Sequence, residues 1–281
     1  MDAHVFLAVL AAAVCHAGWN ASLKLRVDPA IAITLVSVAA GLAALPLLPV
    51  VGVPAQASWP YLGASLIIHV FYYIYLAEAY RSGDLGQVYP IARGAAPLMT
   101  ALGSAALFAE TSEAAGWAGL LLLTSGVVLL SVRGGHARGQ FNGRAVFFAL
   151  ATAATIATYT LVDGRGGRLS GNPHAYAAWL FALDGVMMAA FGWLRQASEI
   201  RIAVPKCAGI ALAGGTLSMI SYWIAIWAMT VAPIALVAAV RETSVLFAAG
   251  ISYWLLKEPL VPVRILAGVL VMGGLALIRL N

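Results

Sequence analysis

Seven ionisable side chains stand inside long apolar stretches of the sequence: His16, His69, Glu78, Arg93, Asp184, Arg241 and Glu242. An ionisable group is costly to place in an apolar medium, so each is a candidate for ligand binding or proton transfer. Structural roles are equally open. The arginines could snorkel or pair with an acid, and Glu78 could pair with Arg81 or Arg93. Asp184 could join two helices by a hydrogen bond, and the histidines could serve packing alone.

Aromatic side chains accompany these groups in the stretches "HVFYYIYLAEAY" and "SYWIAIWAM". The rings of interest are Tyr72, Tyr75, Tyr222, Trp223 and Trp227. In the first stretch the spacing of three continues from the tyrosines to Glu78. Aromatic faces take apolar groups and attract cations, so the pattern predicts an aromatic-lined cavity, although core packing would also explain these rings.

No residue set supports covalent chemistry. The sequence contains no phosphate loop, no HExxH and no nucleophile elbow. Cys15 and Cys207 lack metal-ligand or disulfide spacing, and the basic residues behind the net charge of +5 are scattered. We therefore predict no enzyme activity, no metal, no cofactor and no nucleic-acid partner.

The elements that carry these residues are long and apolar. Hydrophobic residues make up 62% of the 281 positions and charged residues 10%, a composition typical of a polytopic membrane protein. Ten segments of membrane-spanning length are predicted near 3–22, 29–49, 60–81, 84–108, 113–132, 143–162, 174–194, 206–230, 233–256 and 260–279. We expect an all-α membrane protein in which residues 1–281 form a single membrane domain.

An internal duplication organises the ten segments. Displacing the sequence by 148 positions sets Arg93 on Arg241 and Glu110 on Glu258. A weaker match sets Trp19 and Asn20, in "AGWNASLK", on residues 159 and 160, in "ATYTLVDG". Five segments per copy is odd, so we predict two inverted five-helix repeats, 1–135 and 143–281, around a central cavity. The two glutamates at helix junctions are expected to be structural.

The stretch "GDLGQVYPIARGAAPLMTALGSAALFAETSEAAGWAGLLLLTSGVVLLS" and the later "APIALVAAVRETSVLFAAGISYWLLKEPLVPVRILAGVLVMGGLALI" resemble an EamA-type repeat of the drug/metabolite transporter superfamily. The resemblance implies a secondary transporter that exports small metabolites, commonly amino acids, as bacterial amino acid exporters do. It also implies a small-molecule substrate, a place in the bacterial inner membrane and a functional monomer. Basic residues concentrate on loops that would put both termini outside, whereas the resemblance favours cytoplasmic termini.

Within this interpretation, the candidate substrate-binding residues are Trp19, Asn20, Tyr72, Tyr75, Glu78, Tyr89, Arg93, Tyr159, Asp184, Tyr222, Trp223, Trp227, Arg241 and Glu242. The arginines or the N-termini of half-helices would meet a carboxylate, and an acid with aromatics would meet an amine. Pro90 and Pro97 are predicted hinges for alternating access, because each removes a helical hydrogen bond. Export of cationic drugs is the alternative within this class, proton coupling is open, and a membrane enzyme or a channel is the alternative outside it.

Overall fold

The computed structural model describes residues 1–22, 27–83, 85–110, 113–132, 142–248, 250 and 262–280, and all regular secondary structure within them is helical. The predicted Glu258 lies outside these residues. The helices of eight or more residues are α1 (Ala3–Ser22), α2 (Pro29–Ala44), α3 (Trp59–Ser82), α4 (Leu85–Phe108), α5 (Ala114–Val132), α6 (Gly143–Leu169), α7 (Pro173–Val231), α8 (Ile234–Arg241) and α9 (Pro262–Leu280).

Side-chain caps begin three of these helices. Asp28 accepts a hydrogen bond from the backbone of α2, and Asn142 and Asn172 do the same for α6 and α7. In α2 and α7 a proline follows the cap directly, where its missing N–H costs nothing. Cap and proline together set where the helix begins.

Six helices of the described ranges are long and apolar enough to cross a bilayer, and α5 and α9 contain shorter apolar stretches. The α7 helix has 59 residues, which at 1.5 Å per residue is about 88 Å, far more than a hydrocarbon core of about 30 Å. It breaks at Gln196, where φ is −146° and ψ is 39°, so its halves are 173–195 and 197–231. The predicted all-α membrane protein is confirmed. The count of ten crossings and the inverted repeat stay predictions.

Two predicted boundaries are wrong. The α6 helix runs to Leu169 instead of residue 162, because buried packing of its glycines keeps "DGRGG" helical where the sequence resembles a loop. The predicted span 233–256 is interrupted, because α8 ends at Arg241 and residues 242–243 form a turn before helix resumes at 244–248.

Small residues bring α2 against both halves of α7. A Cβ on Gly41 would lie 2.8 Å from the Cα of Gly185, and a Cβ on Gly215 would lie 2.6 Å from the backbone nitrogen of Ala40. Contacts this close need glycine, as is common where membrane helices pack. These close contacts place Ser37, one turn before Gly41, beside Asp184, which precedes Gly185.

The ends of α6 mark two opposite ends of the bundle. Arg144 and Arg168 lie near the first and last turns, about 36 Å apart at 1.5 Å per residue. We call these the Arg144 end and the Arg168 end. Asn142 bonds the end of α3 at Ser82, whereas Ser170 receives a bond from Ala55, before α3 begins. The α3 and α6 helices are therefore antiparallel.

Candidate functional site

A cavity lies among α1, α2, α3, α6, α7 and α8. The space open to the centres of water molecules is about 80 Å³, several times the roughly 10–15 Å³ that one water needs. Its lining consists of His16, Trp19, Ile33, Val36, Ser37, His69, Tyr72, Tyr73, Leu76, Tyr159, Leu180, Phe181, Asp184, Ser218, Tyr222 and Arg241.

One stripe of α3 forms a wall of this cavity. His69, Tyr72, Tyr73 and Leu76 stand at i, i+3, i+4 and i+7, the spacing that keeps residues on one helix face. The predicted stripe with a constant spacing of three drifts around the helix, since three residues turn the chain by only about 300°. Starting the stripe at His69 would have found Tyr73, which the sequence analysis missed.

Asp184 carries the cavity's carboxylate. Its Oδ2 accepts a hydrogen bond from the Tyr73 hydroxyl at 3.2 Å, and that hydroxyl accepts one from Ser37 at 2.9 Å. The side chain is buried, and its Oδ1 has no hydrogen-bond partner of good geometry, although the Ser37 hydroxyl also lies near the carboxylate. Buried polar atoms are nearly always bonded, so this oxygen is available to a ligand donor.

Arg241 carries the cavity's positive charge. Its guanidinium carbon lies 4.8 Å from the centre of the Tyr222 ring, a cation–π contact. Its Nε has no hydrogen-bond partner, and no carboxylate of the described ranges lies within 4.0 Å of its nitrogens. Arg241 ends α8 just before the turn at 242–243. Such helix interruptions commonly accompany binding sites in transporters.

Arg93, the predicted repeat mate of Arg241, is placed differently. Its Nε lies 2.9 Å from Oε2 of Glu242, and both side chains are buried. This ion pair joins α4 to the turn after α8 and lies outside the cavity lining. The structural alternative considered for Arg93, pairing with an acid, describes the observed contact.

Two histidines also line the cavity. His16 accepts a hydrogen bond from Trp19 at 3.0 Å through Nδ1. His69 donates through Nδ1 to the carbonyl of Ser65 at 2.9 Å and stacks on Tyr159 with ring centres 4.5 Å apart. Both rings are thereby fixed in orientation, and the histidines, Trp19 and Tyr159 form the polar and aromatic part of the wall.

The other sequence candidates lie away from the cavity. Asn20 bonds its own helix at His16, and Tyr75 contacts Phe71 and Phe148. Glu78 pairs with Arg81 and Arg144 at 3.0 and 3.3 Å. Trp223 donates to His174, and Trp227 approaches His4. The side chains of Tyr89 and Pro90 lie outside the described part of the structure, and α4 continues without interruption across Pro97.

Asp163 is the functional candidate that the sequence analysis did not find. It is fully buried, and it accepts hydrogen bonds from the hydroxyls of Tyr176 at 2.9 Å and Tyr222 at 2.7 Å. The predicted sixth segment ends at residue 162, which leaves Asp163 in a loop. The overlay of "AGWNASLK" on "ATYTLVDG" could have indicated Asp163, because it continues the helical pattern of the first stretch across that residue.

Arg168 and Glu110 form the strongest network at the Arg168 end. They are in direct contact, and Arg168 also donates to the carbonyls of Met229 at 2.8 Å and Ala232 at 3.1 Å. Glu110 accepts from Ser104 and from the first backbone N–H of α8. Burial alone would raise the pKa of Glu110, but these hydrogen bonds, led by that from Arg168, hold it below its ordinary value.

The cavity lining is displaced toward the Arg144 end. Trp19 lies one turn from the end of α1, and Ile33 and Leu76 lie about one and two turns from the helix ends on the same side. On the other side, the Asp163 cluster and the Arg168 network lie beyond the lining. No group of three or more His, Cys, Asp or Glu residues among those described could hold a metal.

Comparison with known proteins agrees with this architecture. Residues 143–280 match the EamA-like transporter family. A solved crystal structure aligns with a TM-score of 0.77 at 18% identity, covering 98% of this chain and 95% of that one, which shows a common fold. No curated protein matches the chain. The match of residues 143–280 to a family of transporters supports, at that coarse level, the predicted membrane transporter of small molecules.

Proposed function

We propose that the chain, whose residues 143–280 form an EamA-like transporter domain, is a secondary transporter that exports amino acids across the bacterial cytoplasmic membrane. Two inverted five-helix repeats, 1–135 and 143–281, rock about the cavity and open it to one side at a time. The protein works as a monomer.

One observation carries the choice of substrate. The cavity is lined by Arg241, which has no acid within 4.0 Å among the described residues, and by Asp184, which has one unbonded oxygen. An α-amino acid has a carboxylate for the first and an ammonium group for the second. Guanidinium and carboxylate match in a two-bond geometry, and a charge-assisted bond would satisfy each buried group.

The aromatic wall supports the same substrate class. Tyr72, Tyr159 and Phe181 line the same cavity as the charged groups, and such rings accept apolar side chains. Ser37 and Ser218 add small hydroxyls. The site therefore suits a small zwitterion that carries an apolar or aromatic group.

Export of a cationic drug is the second candidate. Asp184 and the surrounding rings would suit a cation, but Arg241 in the same cavity would repel one. A zwitterion uses both charges, and this difference decides our preference. Asp184 could also take a proton during the cycle, which would couple transport to the proton gradient.

Transport by the purified protein in liposomes tests the proposal. The substrates are a panel of labelled amino acids and, separately, a lipophilic cationic dye. We expect amino acid movement, with at least tenfold lower transport efficiency for Arg241→Gln, the size expected from loss of a buried charge-assisted bond. Arg144→Gln, which removes an exposed arginine, is the control and should leave transport unchanged. Dye movement without amino acid movement would refute the proposal.

A further inference from the structure

We propose that Asp163 is a positioning residue for the substrate site. Its hydrogen bond fixes Tyr222, and the Tyr222 ring contacts Arg241 at the cavity wall. Asp163 itself does not line the cavity. The inference rests on the proposed function, in which Arg241 meets the substrate carboxylate. Asp163 would thus affect substrate binding without lining the cavity.

The Asp163 carboxylate is fixed on both oxygens. Oδ1 accepts from the Tyr176 hydroxyl and Oδ2 from the Tyr222 hydroxyl. Tyr176 belongs to the first half of α7 and Tyr222 to the second. Hydrogen bonds to a charged acceptor are roughly twice as strong as neutral ones, so the carboxylate sets the direction of both tyrosine side chains.

A glycine makes this cluster possible. Gly166 stands one turn after Asp163 on α6, and a Cβ there would lie 2.6 Å from ring atoms of Tyr176. A side chain cannot occupy that space while Tyr176 remains in place. The Tyr176 ring therefore lies directly on the α6 backbone with its hydroxyl at Asp163.

Tyr222 connects the cluster to the cavity. Its hydroxyl is bonded to Asp163 at 2.7 Å, and its ring face lies 4.8 Å from the guanidinium carbon of Arg241. A phenol that donates to a carboxylate gains electron density in its ring, which strengthens the attraction for a cation over the face. The bond thus both aims the ring and increases its hold on Arg241.

This arrangement keeps Arg241 available. A carboxylate in direct contact would occupy the donors of the guanidinium, as Glu242 does for Arg93. Asp163 instead lies at the hydroxyl edge of the Tyr222 ring, whose face the guanidinium contacts. The guanidinium is stabilised, yet its N–H edge is left for a substrate carboxylate.

Two variants test the assignment. Asp163→Asn removes the charge, and Tyr222→Phe removes only the hydroxyl while keeping the ring. Transport in liposomes is measured for an amino acid and for the amine that lacks its carboxylate. We expect KM for the amino acid to rise about tenfold for Asp163→Asn and about fivefold for Tyr222→Phe, with little change for the amine or in Vmax.

Two controls separate positioning from folding. Tyr176→Phe removes a hydrogen bond to the same carboxylate without touching Tyr222, and we expect its KM to change less than twofold. In an Arg241→Gln background, Asp163→Asn should raise KM no further, since it acts through that arginine. Equal effects on amino acid and amine, or an additive effect in that background, would overturn the assignment.

A readout without substrate distinguishes this inference from the proposed function. Phenylglyoxal modifies accessible arginines, and mass spectrometry reports the rate at Arg241 itself. We expect that rate to rise several-fold in both variants. Tyr222→Phe releases the ring from the hydrogen bond that orients it against Arg241, and Asp163→Asn also removes the negative charge behind that bond. An unchanged rate would refute the role of Asp163, whereas a raised rate in a protein that carries no amino acid would refute only the substrate.

Discussion

The two ends of α6 are joined to the first half of the chain by ion pairs of unequal quality. At the Arg144 end, Arg144 and Glu78 lie 3.3 Å apart with 68% and 27% of their side chains exposed. At the Arg168 end, Arg168 and Glu110 are in direct contact with 24% and 20% exposed, and the arginine also holds two backbone carbonyls. Water and salt weaken the first pair far more than the second.

The Arg168 end is the more strongly tied of the two ends. The lining reaches toward the Arg144 end and stops short of the Arg168 end, where the network ties the loop after α4 to α6, α7 and α8. In the proposed alternating access, opening the Arg168 end would require this network to break, so the two ends should differ in stability.

Removing the arginine of the strong network should have the largest effect. Arg168→Gln leaves Glu110 without its charge partner and two carbonyls without a donor, so we expect unfolding in detergent to become easier by about 2–3 kcal/mol. Arg144→Gln is the matched control at the other end, with an expected loss below about 0.5 kcal/mol. Equal losses for the two variants would mean that the ends do not differ.

Acid should weaken the Arg168 end. The pKa of Glu110 is lowered in the folded protein, so its stabilising contribution is fully present above the ordinary glutamate value of about 4.3 and disappears as pH falls through the lowered one. Stability measured from pH 7 downward should therefore converge for the wild type and Glu110→Gln. A constant gap between the two curves at low pH would contradict the assignment to Glu110.

The hydroxyl of Ser104 should make a smaller contribution. It donates to Glu110 at 2.8 Å, and its removal in Ser104→Ala is expected to cost about 1 kcal/mol of unfolding free energy. Ser198 offers a matched control, because it donates at the same distance to the exposed Glu199. Ser198→Ala should leave stability unchanged, and a loss as large as that for Ser104→Ala would show that burial is irrelevant.

The smallest effect is expected for the acid at the Arg144 end. Glu78→Gln removes the partner of Arg81 and Arg144, but exposed pairs contribute at most about 0.5 kcal/mol. Raising the salt concentration should reduce even that difference, since exposed charges are screened. A loss above 1 kcal/mol that persists in about 1 M salt would remove the contrast between the ends.

The arginines show how far sequence reasoning could reach. The internal repeat predicted matched positions for Arg93 and Arg241. Of the two, only Arg241 lines the cavity, and Arg93 instead forms an ion pair with Glu242. Trp19, Tyr159 and Asp184 were predicted and line the cavity as well. Glu78 is an acid like Asp184, and Trp223 is an aromatic residue like Trp19, but neither lines the cavity. Side chains a few residues apart on a helix can face different neighbours.

Composition and segment length by themselves determined an all-helical membrane protein, because about 20 apolar residues can satisfy their backbone in lipid only as a helix. The candidate residue types also followed from the sequence, since charges are rare there. The tertiary structure decided which of these groups meet. Asp163 gained its role from tyrosines in both halves of α7, and Arg241 kept its donors because its neighbour is a ring and not an acid. Such contacts depend on helix rotation and close packing at glycines, which local sequence does not encode.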